Sequence, residues 1–169
     1  RWALAQLGDG GLALLAEGLG SPVAEVRKRA VQSIAEIPDG EATALLQDAL
    51  ADPDVVVRRY AALALGARGV ADAVPTLIDM VVEGANDVDA ADALSALASP
   101  PALADQIATR LVDCLARGTV ESSARRRLTQ ALADIPGITA SRALADLSHD
   151  EDRAVALTAA YILGIRDAR

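Results

Sequence analysis

Two stretches of this chain are one pattern written twice. Residues 52–66 read Asp-Pro-Asp-Val-Val-Val-Arg-Arg-Tyr-Ala-Ala-Leu-Ala-Leu-Gly, and residues 21–35 read Ser-Pro-Val-Ala-Glu-Val-Arg-Lys-Arg-Ala-Val-Gln-Ser-Ile-Ala. Both place Pro second, Val-Arg sixth and seventh, and an apolar-small pair last, at an offset of 31 residues. A repeat of this size constrains the fold strongly. One such unit cannot bury its own apolar face, so successive units must stack.

With the terminal apolar-small pair as a marker, the series runs Leu7-Gly8, Ile34-Ala35, Leu65-Gly66, Leu97-Ala98, Leu132-Ala133 and Leu163-Gly164, at spacings of 27, 31, 32, 35 and 31 residues. Within a unit the apolar residues recur at helical spacing, as in Val57, Ala61 and Leu65. A second, shorter helix precedes each of these, marked by Leu15/Leu19, Leu46/Leu50, Leu77/Val81, Leu111/Leu115 and, more weakly, Leu144/Leu147. Breakers stand between them: Ile37-Pro38-Asp39-Gly40, Ser99-Pro100-Pro101 and Ile135-Pro136-Gly137. Asp52 and Asp54 flank Pro53 and offer a capping oxygen at a helix start. With 2% aromatics and no Phe, the core must be built from Ala, Leu, Val and Ile, which lets helices approach closely. The expectation is an all-α superhelix, an α solenoid of five hairpins at roughly 10–37, 40–66, 71–98, 101–134 and 138–165. A lone second helix at 1–7 precedes them, and 1–169 forms a single domain.

The stretch from Asp52 to Val82 carries Asp-Pro-Asp, Val-Arg, Ala-Ala-Leu-Ala-Leu-Gly and Ala-Val-Pro-Thr-Leu. It resembles the short HEAT-like repeat of the phycobilisome-lyase type, and the resemblance extends over almost the whole chain. The resemblance implies an armadillo-like fold whose members include scaffolds, assembly factors, lyase subunits and a few enzymes. It also implies that an acidic loop residue and an Arg six positions later tie the loop to the next helix. Asp52 and Arg58 match; Arg27 and Arg125 keep the Arg, with Ser21 and Thr119 in place of the acid. Ala90 and Ala156 replace the Arg in the third and fifth hairpins, so the third, from Asn86 to Ala98, is expected to be the least regular.

A formal charge of −8, spread along both halves, repels nucleic-acid phosphates and anionic membranes. A lone Cys makes no internal disulfide and fits a reducing, cytoplasmic setting. No apolar run is long enough for a transmembrane helix. The chain opens inside a helical pattern at Arg1, as a piece of something longer would.

Counting back from each marker gives columns of equivalent positions on the second helices. Five before stand Trp2, Arg29, Tyr60, Asp92, Arg127 and Thr158; six before stand Arg1, Lys28, Arg59, Ala91, Arg126 and Leu157; two before stand Ala5, Gln32, Leu63, Ser95, Gln130 and Tyr161. These columns hold the chain's Trp, both its Tyr and its sole Lys. The resemblance makes them exposed, partner-contacting columns, and Trp, Tyr and Arg dominate interface hot spots. The predicted partner-binding set on the concave face is therefore Trp2, Lys28, Arg29, Arg59, Tyr60, Leu63, Asp92, Arg126, Arg127 and Tyr161. Its basic members, set in an acidic body and interrupted by Asp87, Asp89 and Asp92, suit a protein partner with an acidic or mixed-charge segment.

Chemistry finds less support. His149 stands alone in a turn, Cys114 lies on an apolar helix without a basic neighbour, and Gly8-Asp9-Gly10-Gly11 lacks the strand and Lys of a phosphate loop. The repeated His-Glu pairs by which HEAT-repeat deoxyhypusine hydroxylases hold iron are missing, so no cofactor or metal is expected. Protein binding or scaffolding is the first reading. A lyase-type or chaperone-like accessory role, which wants a deeper apolar groove, is the second. A HEAT-like nucleic-acid enzyme is a distant third, opposed by the charge.

Overall fold

The computed structural model describes residues 9–169 and is all-helical over that span. Ten α-helices follow in order among the described residues: α1 (Asp9–Leu19), α2 (Ala24–Ile34), α3 (Gly40–Ala49), α4 (Val55–Ala67), α5 (Val74–Glu83), α6 (Asp87–Leu97), α7 (Pro101–Ala116), α8 (Ser122–Ala131), α9 (Ile138–Leu147) and α10 (Arg153–Asp167). Short 3-10 turns, Ala71–Ala73 and Leu132–Asp134, precede α5 and extend α8. These are the five expected hairpins, and the fold class is the α-α solenoid. The half helix expected at 1–7 lies outside the described residues.

The chain forms two compact units, Arg1–Thr76 and Leu77–Arg169, so the boundary falls inside α5. In the first unit α2 packs on α1 and α4, and α3 packs on α4. In the second, α8 packs against α6, α7 and α10, and α9 against α7 and α10. Each unit buries the predicted small aliphatic residues: Val57, Ala61, Ala62 and Leu65 in the first, Leu94, Ile107, Leu111, Leu128, Leu132 and Leu144 in the second are fully buried. Small side chains on facing helices let ridges interlock at short range.

One expectation needs correcting. The first helix of the fourth hairpin is not short: α7 is 16 residues long, the longest among the described helices. The 35-residue spacing preceding Leu132 goes into about one extra turn there.

The third hairpin is irregular at its turn. Gly84 sits at φ +71, and Asn86 caps α6 at φ +46 without a side-chain bond, the one non-glycine with positive φ among the described residues. Short-chained Asn tolerates that region better than most residues.

Helix ends in a hairpin stack leave carbonyls without intrahelical partners. Here arginines from the following hairpin meet them. Arg68, just past α4, donates to the carbonyls of Ile34 (3.1 Å), Ala35 (3.3 Å), Ile37 and Asp39 (3.3 Å), and to Thr43 Oγ1 (2.9 Å). Arg166, in the last turn of α10, repeats this on Leu132 (3.1 Å), Ala133 (2.9 Å), Ile135 (2.7 Å), Gly137 (3.3 Å) and Ser141 Oγ (3.0 Å). The sequence separations match, 34, 33, 31, 29 and 25 residues in both cases. The C-terminus of α4 is closed differently. With Gly69 at φ +75, Val70 N–H reaches Leu65 O (3.0 Å) and Gly69 N–H reaches Gly66 O (3.1 Å), a Schellman closure.

Each arginine carries several charge-assisted bonds in a half-buried setting, so Arg68→Met and Arg166→Met should each lower unfolding free energy by about 2–4 kcal/mol. Urea denaturation checks this; midpoints equal to the parent's would mean water serves these carbonyls as well as the guanidinium does.

Candidate functional site

The second helices carry the predicted binding residues, and the N-termini of two of them, α4 and α10, are set by paired carboxylates. Asp54 caps α4 by accepting from Val56 N–H (2.8 Å) and Val57 N–H (3.3 Å). Asp152 caps α10 in the same way, from Ala154 N–H (2.9 Å) and Val155 N–H (3.3 Å). Two residues earlier, Asp52 and Asp150 each accept from the backbone N–H of the cap residue (2.8 and 2.9 Å).

Arginines of the preceding hairpin then reach those earlier carboxylates. Arg27 binds Asp52 with Nε (3.0 Å) and Nη2 (3.3 Å), and Arg125 donates to Asp150. Arg27 also donates to Ser21 O, and Arg58 to Asp52 O, each six residues back; Arg125 takes Leu115 O. The expected tie between an acid and the Arg six positions later is thus a tie to the backbone carbonyl. The carboxylate itself pairs with the arginine of the hairpin before, because that guanidinium is the one packed against the loop.

Outward from this frame, the predicted residues divide by unit. In the first, Lys28 and Arg29 on α2 share Glu25, at 2.9 and 3.3 Å. The Arg29 side chain is 74% exposed and that of Lys28 27%. Arg59, Tyr60 and Leu63 lie half-buried on α4, which packs against α2. In the second unit, Asp92 on α6, Arg126 on α8 and Tyr161 on α10 are exposed, Tyr161 by 73%. Trp2 lies outside the described residues.

Arg127 has a different occupation from the one its column suggests. Its guanidinium donates to Val81 O (2.8 Å) and Val82 O (2.6 Å), closing the end of α5. It lies against Gly84, where an added Cβ would stand 3.2 Å from Arg127 Cζ. Glycine is therefore favoured at 84 by its positive φ, and a side chain there would push the Arg127 guanidinium back by a few tenths of an ångström. Sequence reasoning missed this, since nothing near Arg127 in the sequence points 46 residues back. Arg68 and Arg166 were findable: each stands 31 residues after an Ile-Pro, with a hydroxyl residue 25 before it.

Three depressions lie in the second unit, one of them, of about 390 Å³, at the Ser122, Arg125, Asp150 and Asp152 loop pair. Another, of about 590 Å³, is polar and open, lined by Ser95, Asp134, Ser141, Arg166, Asp167 and Arg169 among others. The third, of about 350 Å³, is more apolar and lies beneath exposed Ile138, between Pro101, Ala104 and Pro136. Among the described residues no three His, Cys, Asp or Glu side chains converge as metal ligands. His149 is exposed in its turn, and the half-buried Cys114 thiol is pushed up by burial.

A family model described as HEAT repeats matches residues 12–98, more than half of the chain. The chain belongs to the HEAT-repeat family. Among solved structures, an engineered protein is similar over 89% of this chain and 77% of its own, at 23% identity and a TM-score of 0.57. That likeness shows the stacked-hairpin fold. Human deoxyhypusine hydroxylase in complex with glycerol aligns over 99% of this chain and 88% of its own, at 17% identity and a TM-score of 0.40. No curated protein matches the chain. Among the described residues no helix is long and apolar enough to cross a membrane. HEAT repeats generally mediate protein–protein contacts and scaffolding.

Two measurements test the frame. Gly84→Ala should lower stability by about 1–3 kcal/mol in chemical denaturation, and by less in an Arg127→Ala background, where the added methyl no longer meets a guanidinium. The Ser122 hydroxyl, then the Val155 and Ala154 N–H groups, hold the Asp152 carboxyl below its ordinary range. Its contribution to stability is therefore full above the ordinary carboxylate range and is lost as pH falls through the lowered value. Ser122→Ala should reduce that acid-side loss in thermal melts, leaving a shallower fall between neutral and acid pH.

Proposed function

We propose that this HEAT-repeat chain is a protein-binding or scaffolding module whose partner contacts lie on the second helices of each unit. In the first unit Arg29, Tyr60 and Leu63 are the anchors, with Lys28 and Arg59 steering. In the second, Arg126 and Tyr161 are the anchors beside Asp92, and Arg127 contributes by holding α5 against α8. The observation that carries this reading is a charge contrast. A chain of formal charge −8 places exposed Arg29 and Arg126 at equivalent or adjacent positions of its repeats, beside its tyrosines. Asp52, Asp54, Asp150 and Asp152 are bound into caps and loop pairs, whereas Arg29, beside Glu25 on the same helix, and Arg126 are exposed.

Such a surface draws a protein segment of acidic or mixed charge, and the overall negative charge disfavours nucleic acid. Binding rather than catalysis is further supported by where displaced carboxyls occur. Lys28 holds the Glu25 carboxyl low, and Ser122 and helix N–H groups do so for Asp152, in ordinary ion-pair and capping roles. A reducing, cytoplasmic setting suits this reading.

The test is affinity capture with the parent chain beside an Arg29→Glu/Arg126→Glu variant, quantified by mass spectrometry after matching helicity and melting temperature. Both positions are exposed, so the fold should be kept. Capture of the principal acidic partners should fall about tenfold or more in the variant. Equal capture by both chains would remove these columns from the binding surface.

A further inference from the structure

The end of α6 departs from the ends of its counterparts, and a proline is the first reason. Take the Ile or Leu of each apolar-small pair as the marker. In the loops that follow α2 and α8, the residue three after the marker gives its N–H to the marker's carbonyl: Ile37 to Ile34 (3.0 Å) and Ile135 to Leu132 (3.2 Å). The same two carbonyls also receive a guanidinium, from Arg68 and Arg166, each at 3.1 Å. After α6 the marker is Leu97, and the residue three on is Pro100, which has no N–H to give. The arginine is replaced as well. Arg68 and Arg166 stand three after the markers of their own hairpins, and in the hairpin that follows α6 that position holds Ile135, fully buried. Nor does a left-handed residue close this helix, whose cap, Ala98, has φ −81 and gives its own N–H to Leu94 and Ser95. The carbonyls of Leu97 and Ala98 thus have neither of the donors that serve their counterparts.

That end opens into the polar depression of about 590 Å³. Ser95, Ala98 and Ser99 form its α6 wall, and exposed Asp134, just past α8, stands beside them, its backbone carbonyl accepting from the Ser95 hydroxyl (3.3 Å). The wall therefore combines helix-end carbonyls, two serine oxygens able to accept and a carboxylate, and the negative pole of the α6 dipole adds to them. The arginines that also line the depression, Arg166 and Arg169, come from α10, which packs on α8 and not on this wall. Arg166 is spent on five acceptors at the end of α8, and Asp167 balances the charge of Arg169. The chain itself shows twice what an end of this kind takes. Arg68 and Arg166 each lay a planar guanidinium on the equivalent carbonyls.

We propose that this depression seats the guanidinium of an arginine from the partner protein, its N–H groups on the carbonyls at the end of α6 and on the Asp134 carboxylate. The fork of a guanidinium reaches several acceptors at once in fixed directions, which a compact ammonium does not. An open depression leaves much of a free small molecule in water, whereas a side chain carried on a protein segment needs no such enclosure. The inference rests on the protein-binding reading for the source of the arginine, and it deepens that reading by giving the positive part of a mixed-charge partner a place in the second unit.

A nuclear magnetic resonance titration of the 169-residue chain with Nα-acetyl-arginine amide tests this. The amide signals of Ser95, Ala98, Ser99 and Asp134 should shift and saturate, with a dissociation constant on the order of 1–10 mM for one isolated side chain. Nα-acetyl-citrulline amide, which keeps the shape without the charge, should bind at least about tenfold more weakly, and Nα-acetyl-lysine amide about threefold more weakly. Asp134→Lys, at an exposed position, should keep the parent's melting temperature and lose about tenfold in affinity. The Arg29→Glu/Arg126→Glu chain should bind the arginine amide at least as well as the parent, so failure of the capture reading and failure of this one are told apart. Citrulline or lysine amide binding as tightly as the arginine amide overturns the proposal. So do an Asp134→Lys chain that binds like the parent, or no shift at these four residues up to about 50 mM, where water serves the α6 carbonyls as well as a guanidinium does.

Discussion

Short helices stacked side by side bring many helix ends close together, and the carbonyls at those ends must be satisfied where two hairpins meet. The rest of the structure depends on how that is done. In each unit one arginine reaches back and gathers the last carbonyls of the preceding second helix together with a hydroxyl from the hairpin between, Arg68 with Thr43 and Arg166 with Ser141. A guanidinium suits this because its planar fork serves several acceptors at once and stays charged at every relevant pH. The same contact fixes the spacing between one hairpin and the next. Where no such arginine follows, the ends of α4 and α5 close by glycine in a left-handed conformation, and Arg127 adds its own bonds at α5.

At the opposite ends of the second helices the signs are reversed. At α4 and α10 Asp54 and Asp152 cap the helix start, and two residues earlier Asp52 and Asp150 receive Arg27 and Arg125 from the hairpin before. Opposite charges thus sit at opposite helix ends, in the sense the peptide dipoles favour. Four of the chain's 24 acids are held structurally in this way. Arg29, paired with Glu25, and Arg126 stay exposed on the outer columns, and these are the basic groups that the proposed binding role would use.

Repeat length, hairpin number and the aliphatic core were all readable in the sequence, because each is a local or periodic property: Pro and Asp mark helix starts, and the apolar spacing marks the buried side. The alignment of equivalent positions into columns was readable for the same reason, but the acid–Arg tie expected within a loop was not, since the Arg there binds the loop carbonyl. What the tertiary structure alone decided is which charged group meets which. Arg127 shares a column with Arg29, yet one closes α5 and the other faces solvent, because only the placement of α5 and Gly84 beside α8 gives Arg127 carbonyls to bind. The partner of the Asp52 carboxylate was likewise set by packing between hairpins, 25 residues away, and not by the six-residue spacing within one. Local pattern determines a helix and its buried face; a long side chain chooses its partner from whatever the neighbouring helix brings within reach.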